Sequence, residues 1–122
     1  MKNKNTANTT QKGKEAEDFA CAFLENEGYS IEARNFNTRF GEIDIIAKKD
    51  GILHFVEVKS GIGFEPIYNI TPTKVQKIIK TIEIYLKEYH LNLPYCLSAL
   101  ILSKTAKQEV FSVSFLENIT LF

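Results

Sequence analysis

Glu57 and Lys59 stand two apart in the apolar run Ile52 to Ser60, which reads as a β-strand. Side chains alternate along a strand, so Glu57 and Lys59 point the same way as Leu53 and Phe55. Ile52, His54, Val56 and Val58 take the opposite face. Just before this run, Asp50-Gly51 is a hairpin-turn pair. If those two residues form the turn, Lys49 faces Ile52, and counting back places Asp44 directly opposite Glu57. Cross-strand neighbours have Cβ atoms about 4.5–5.5 Å apart, and like charges in that position destabilise the pair. A hard divalent ion such as Mg²⁺, which prefers carboxylate oxygens, is one way to relieve them. Lys59 alone is the other.

Two more charged side chains lie at the margins of helices. Gly13 to Glu27 places Ala16, Phe19, Ala20, Phe23 and Leu24 at helical spacing. Glu17 falls at the edge of that stripe and can reach along a sheet surface. Glu15, Asp18 and Glu25 point away. The second helix starts with Thr71 as its N-cap and Pro72 as its first residue. Its stripe is Val75, Ile78, Ile79, Ile82, Tyr85, Leu86 and Tyr89, and it ends near His90. Lys74 sits at the stripe's margin in the first turn, where the helix dipole favours anions. An anionic ligand would account for it, and so would plain solvation.

The remaining elements follow from turn signals. Gly28 stops the first helix. Tyr29 to Arg34 alternates as a short strand, and Asn35 to Phe40 is a polar loop. Glu42 to Lys48 is an Ile-rich strand, Gly61 to Asn69 is a loop, and Leu97 to Leu102 and Val110 to Phe115 are two further strands. The order helix-strand-strand-strand-helix-strand-strand predicts an α/β fold, a mixed central sheet flanked by helices.

The chain has 122 residues, enough for one domain with its own core. Residues 1–11 read as a flexible polar tail and residues 12–122 as the domain. Hydrophobic residues are 44% and charged residues 25%, which excludes intrinsic disorder. No apolar run is long enough to span a bilayer and no signal peptide is visible, so a cytoplasmic protein with no membrane partner is expected. Lys and Arg number 15, as do Asp and Glu, which excludes a strongly basic nucleic-acid coater but not a local basic patch. Cys21 and Cys96 sit in apolar patterns and read as reduced core thiols. His54 and His90 read as structural or surface residues. No zinc spacing, Gly-rich phosphate loop or Ser/His/Asp arrangement is present.

Several blocks, taken together, resemble the uncharacterised bacterial YraN-like family. They are Gly13-Lys14-Glu15-Ala16-Glu17, Gly28-Tyr29, Arg34-Asn35-Phe36, Gly41-Glu42-Ile43-Asp44 and Phe55-Val56-Glu57-Val58-Lys59. Their order and spacing match over roughly Gly13 to Leu102. That family is similar to the restriction-endonuclease-like superfamily, with its PD-(D/E)xK signature, and to archaeal Holliday-junction resolvases in layout. The chain departs from the pattern at Ala16, where glycine is usual. It also departs at Ser60-Gly61, which stand where an Arg is often found just after Val58-Lys59, and at Tyr95-Cys96-Leu97-Ser98, where an Arg-Phe-Asp segment is usual.

The resemblance implies a restriction-endonuclease-like core and a Mg²⁺- or Mn²⁺-dependent nuclease acting on DNA. It implies catalytic roles for Glu17, Asp44, Glu57 and Lys59. Asp44, Glu57 and the Val58 carbonyl would hold the metal. Lys12, Lys14 and Lys74 would contact phosphates. Two alternatives stand beside it. One is a non-catalytic nucleic-acid-binding module on a nuclease-like scaffold, since fold does not dictate chemistry. The other is a protein-interaction subunit or homodimer docking through Phe111 to Phe122, where Phe115, Leu116, Leu121 and Phe122 could equally complete the core.

Overall fold

A computed structural model describes residues 11–63 and 71–119. Helix α1 (Gln11–Asn26) leads into strands β1 (Ser30–Thr38), β2 (Gly41–Lys49) and β3 (Ile52–Ile62). Helix α2 (Pro72–Glu88) then precedes β4 (Tyr95–Lys104) and β5 (Ser112–Leu116). The sheet order is β1-β2-β3-β4-β5, antiparallel throughout except for the parallel β3–β4 pair. A parallel neighbour requires a crossover, and α2 supplies it. The expected element order and mixed sheet are present. Gly61 and Ile62, expected to open a loop, instead extend β3 and pair with Ser103 and Lys104 of β4; residues 1–10, 64–70 and 120–122, Leu121 and Phe122 among them, lie outside the described residues.

Each helix covers one face of the sheet. Ala16, Ala20, Cys21 and Leu24 of α1 pack with Ile45, Ala47, Val56, Leu100 and Leu102. Ile78, Ile82 and Tyr85 of α2 pack with Ile43, Ile46, Leu53, Phe55 and Leu97 on the other face. Gly28 (φ 96°) ends α1 in the left-handed region, as its position after the stripe suggested. The C-terminal segment completes the α1-side core. Phe111 stacks edge-on against Phe19 at 5.4 Å, and Phe115 against Phe23 at 6.2 Å. Cys21 and Cys96 are buried free thiols.

The largest difference from the sequence reading is at β1. Asn35 to Thr38 is strand rather than loop, and β1 closes onto β2 through a two-residue turn at Arg39-Phe40. Pairing with β2 through Phe36↔Ile43 and Thr38↔Gly41 supplies the order that local composition does not. The turn is also held on α2, because the Thr38 and Thr81 hydroxyls lie 3.1 Å apart.

The N-cap of α2 forms as read, with the Lys74 N–H donating to Thr71 Oγ1 at 3.2 Å. Replacing Thr71 with Ala leaves that donor unmet and should cost about 1 kcal/mol in chemical denaturation. The neighbouring exposed Thr73→Ala should stay within about 0.5 kcal/mol of wild type.

Candidate functional site

The Asp50–Gly51 turn forms with φ values of 53° and 77°, and the β2–β3 register starts as expected at Lys49↔Ile52. It continues to Ile45↔Val56 and ends there, one pair short of Asp44 and Glu57. Side-chain alternation changes at the same level. Ile45 packs on the α1 face, yet Ile43, two residues earlier, packs on the α2 face. The partner strand does the same. Arg34 reaches α1, whereas Phe36 meets Tyr85 of α2, and Asn35 between them has φ 53°. Asn tolerates this left-handed conformation better than most residues.

Asp44 therefore does not sit on the Glu57 face. Its Oδ2 accepts the Val58 N–H at 2.8 Å, in place of the β2 backbone carbonyl that a continued ladder would provide. Oxygens of Glu17, Glu42 and Asp44 lie within 4.8 Å of one another. Glu17 comes from the margin of the α1 stripe, with its side chain 13% exposed, and Arg34 Nη2 lies 3.6 Å from it. The stronger Arg34 contact is to Asp18, at 2.8 Å. That guanidinium holds the Asp18 carboxyl below its usual range. Glu57 is buried and outside the mutual triad, with Lys74 Nζ 3.3 Å from Oε2. Lys59 follows on the same strand, half-buried, and Lys14 is exposed on α1. The side chain of Lys12 lies outside the described residues.

The structure thus brings two of the expected groups together, Glu17 and Asp44. It adds Glu42, which the sequence reading passed over, and it seats Glu57 against Lys74 on the α2 side. The signal for Glu42 was its i, i+2 spacing from Asp44, which puts both on one side of a strand. Three carboxylates form a hard-oxygen donor set that suits Mg²⁺ or Mn²⁺. Burial, with further pushes from Glu42 and Glu17, raises the Asp44 carboxyl to about 7 against the opposing Val58 hydrogen bond. A cation beside it would relieve that repulsion.

A cavity of about 500 Å³ lies at the opposite end of β2, by the Asp50–Gly51 turn. Its wall includes His54 and Cys96, with His54 Nδ1 3.3 Å from Cys96 Sγ and 3.4 Å from Ser98 Oγ. Burial lowers the His54 pKa and raises that of Cys96, so both are neutral and neither is primed for chemistry. The carboxylates are the better chemical candidate.

An α/β protein with a carboxylate cluster at the open end of a mixed sheet is the class these features define. The model of the uncharacterised protein family UPF0102 matches residues 16–113. The UPF0102 protein of Helicobacter hepaticus is 54% identical over 114 residues, covering 93% of this chain and 98% of the relative. That of Wolinella succinogenes is 54% identical over 110 residues, covering 90% and 96%. One from Helicobacter pylori is 53% identical over 110 residues, covering 90% and 91%. The chain belongs to the UPF0102 family, the YraN-like family whose motif blocks it carries. No helix among the described residues is long and apolar enough to cross a membrane.

A carboxyl whose folded pKa is raised above its unfolded value loses stability as pH rises. Below about pH 3.8 both states hold the proton, while between there and about 7 the unfolded chain has lost it and the folded chain keeps it. Without divalent ions, stability should therefore fall from pH 5 to pH 7, with Asp44 contributing up to about 1.4 kcal/mol per pH unit. Asp44→Asn keeps an acceptor for Val58 and removes the charge, so it should flatten this slope in urea titrations and be the more stable protein at pH 7.5.

Proposed function

We propose that this protein is a divalent-metal-dependent nuclease with a restriction-endonuclease-like core, hydrolysing phosphodiester bonds in DNA. The observation that carries the reading is the convergence of Glu17, Glu42 and Asp44 where β2 and β3 cease to pair. The succession of a helix, a three-stranded antiparallel meander, a crossover helix and a parallel strand supports it by fold analogy.

Glu17, Glu42 and Asp44 would hold a Mg²⁺ or Mn²⁺ ion, with Glu57 and the Val58 carbonyl next along β3. Such an ion polarises a phosphoryl oxygen and lowers the pKa of an attacking water. The chain's own groups do the rest. The Val58 N–H fixes one oxygen of Asp44, so the carboxylate is oriented before any ligand arrives. Arg34 holds Glu17 and Asp18 against β1. Lys59 would orient the water or offset charge on the phosphoryl oxygens. Lys74, Lys14 and Lys12 would take phosphates of the flanking backbone, with Lys74 exchanging its contact to Glu57 for one to the substrate.

A non-catalytic scaffold is the second reading, favoured by the cations already placed beside two carboxylates, Arg34 by Glu17 and Lys74 by Glu57. Calorimetric titration of Mg²⁺ and Mn²⁺ into wild type and Asp44→Asn separates the two, with branched, duplex and single-stranded DNA cleavage run alongside. Metal binding and cleavage by wild type, both lost in Asp44→Asn, is the expected result. Cleavage that persists undiminished in the purified variant would sink the assignment. DNA binding without turnover under either metal would favour the scaffold. Glu42→Gln should weaken metal binding by about tenfold or more, a cost of roughly 1.4 kcal/mol.

A further inference from the structure

The tip of the β1–β2 hairpin carries Phe40 into contact with Lys80 of α2, with Arg39 beside the ring. The Arg39 guanidinium carbon lies 4.8 Å from the centre of the Phe40 ring, and Lys80 Nζ lies 5.0 Å from it. One aromatic ring thus holds two cations at the surface end of a hairpin. The tip is not loosely attached. The Phe40 N–H donates to Thr38 Oγ1 at 3.1 Å, and that hydroxyl lies 3.1 Å from Thr81 Oγ1. Thr81 is 1% exposed and donates in turn to the Lys77 carbonyl at 2.9 Å. The ring is therefore preorganised on α2 rather than carried by a free loop.

Lys74, Lys77 and Lys80 recur every third residue along α2, about 9 Å from first to last. Lys74 marks one end of this track beside Glu57, and Phe40 marks the other. Phe40 immediately precedes β2 and stands four residues before Asp44, at most roughly 13 Å at strand rise. Anionic and flat is the chemistry that suits such a surface. Lysines take phosphates as point charges, and a base gains a face of the half-buried ring by displacing one of the two cations now over it, which passes to an adjacent phosphate.

We propose that Phe40 is a stacking platform for an unpaired nucleotide, with Lys77, Lys80 and Arg39 holding the adjacent phosphates, so that the substrate presents a single-stranded segment at this end of the sheet. A base in a continuous duplex is already stacked on both sides and has no free face to offer. This inference rests on the reading of the chain as a protein that acts on nucleic acid, and it assigns the strand state of the substrate.

The chain contains no tryptophan, so Phe40→Trp introduces a single fluorescent reporter at the platform. The experiment titrates it, in EDTA to suppress cleavage, with an oligothymidylate and with a blunt duplex of equal length. Quenching by the single strand and little by the duplex is the expected result. In anisotropy titrations of the otherwise wild-type chain, Phe40→Leu keeps the apolar volume and removes the ring. It should weaken single-strand binding about tenfold and duplex binding less than twofold. Lys77→Gln should lower the salt slope for the single strand by about 0.7. Equal quenching by both forms, or equal losses in Phe40→Leu, overturns the inference. Cleavage in Mg²⁺ without any stacking signal overturns it too and leaves the nuclease reading intact. Stacking without cleavage under Mg²⁺ or Mn²⁺ supports the platform and removes the nuclease.

Discussion

The Asp44 carboxylate is held by a single backbone donor at the point where two strands part, and the rest of the site depends on that contact. Its Oδ2 accepts the Val58 N–H at 2.8 Å. Without it, Val58 would lack the cross-strand partner that its neighbours have. The contact is reached only because alternation reverses on β1 and β2 together, at Asn35 and Asp44, while the register between Arg34↔Ile45 and Phe36↔Ile43 is kept. Two strands changing face in step preserve their ladder. β3 does not follow them, so the β2–β3 pair ends at Ile45↔Val56. One local twist thus opens the sheet, turns Asp44 towards Glu17 and Glu42, and leaves Glu57 on the other side.

That arrangement carries an electrostatic cost. Three carboxylates share a small volume, and burial pushes Asp44 upward in pKa. Nothing in the core requires the charge, since an amide would serve Val58 equally well. Places where a chain breaks an energetic rule without a packing gain are where function is expected. The nearby cations do not remove the conflict. Arg34 leans mainly on Asp18, and Lys74 serves Glu57. The central member of the cluster, Asp44, is pushed upward by burial and then by its acidic neighbours, and receives one amide hydrogen in return.

The sequence was most legible where structure is local. Asp50-Gly51 fixes its turn through two left-handed residues, Thr71-Pro72 fixes the start of α2, and the 3.6-residue stripes fix which helix faces are buried. The sequence was least legible where distant pairing decides. Asn35 to Thr38 lacks the apolar alternation of a strand and becomes one through its β2 partner. Arg39-Phe40 carries no Gly or Asn turn signal, so its tight turn was hidden. The Asp44–Glu57 pairing extended a correct register one step past the twist that ends it. Asn35 was the clue, a residue that tolerates positive φ in the middle of a motif, but a twist shared by two strands has no single-strand periodicity to betray it.

The placement of the carboxylates at the open end of the sheet bears on what they can act upon. A site for a small metabolite is normally a concave pocket that buries most of its ligand. A hollow of about 500 Å³ lies elsewhere, and its wall includes a neutral imidazole and a neutral thiol in contact with each other. The cluster instead lies where the margin of α1 meets β2, beside the end of the β2–β3 pairing, with the lysines of α2 on the other face of the sheet. Acting as proposed, such a site would hold little of its substrate at the reacting centre and would gain affinity from contacts on either side. A polymer with a repeating charge meets that condition, because each added unit brings a further phosphate to a further lysine. With net charge zero overall, long-range attraction contributes little. On the proposed nucleic-acid reading, binding would rest on these few local contacts, so salt and the loss of single side chains would act strongly.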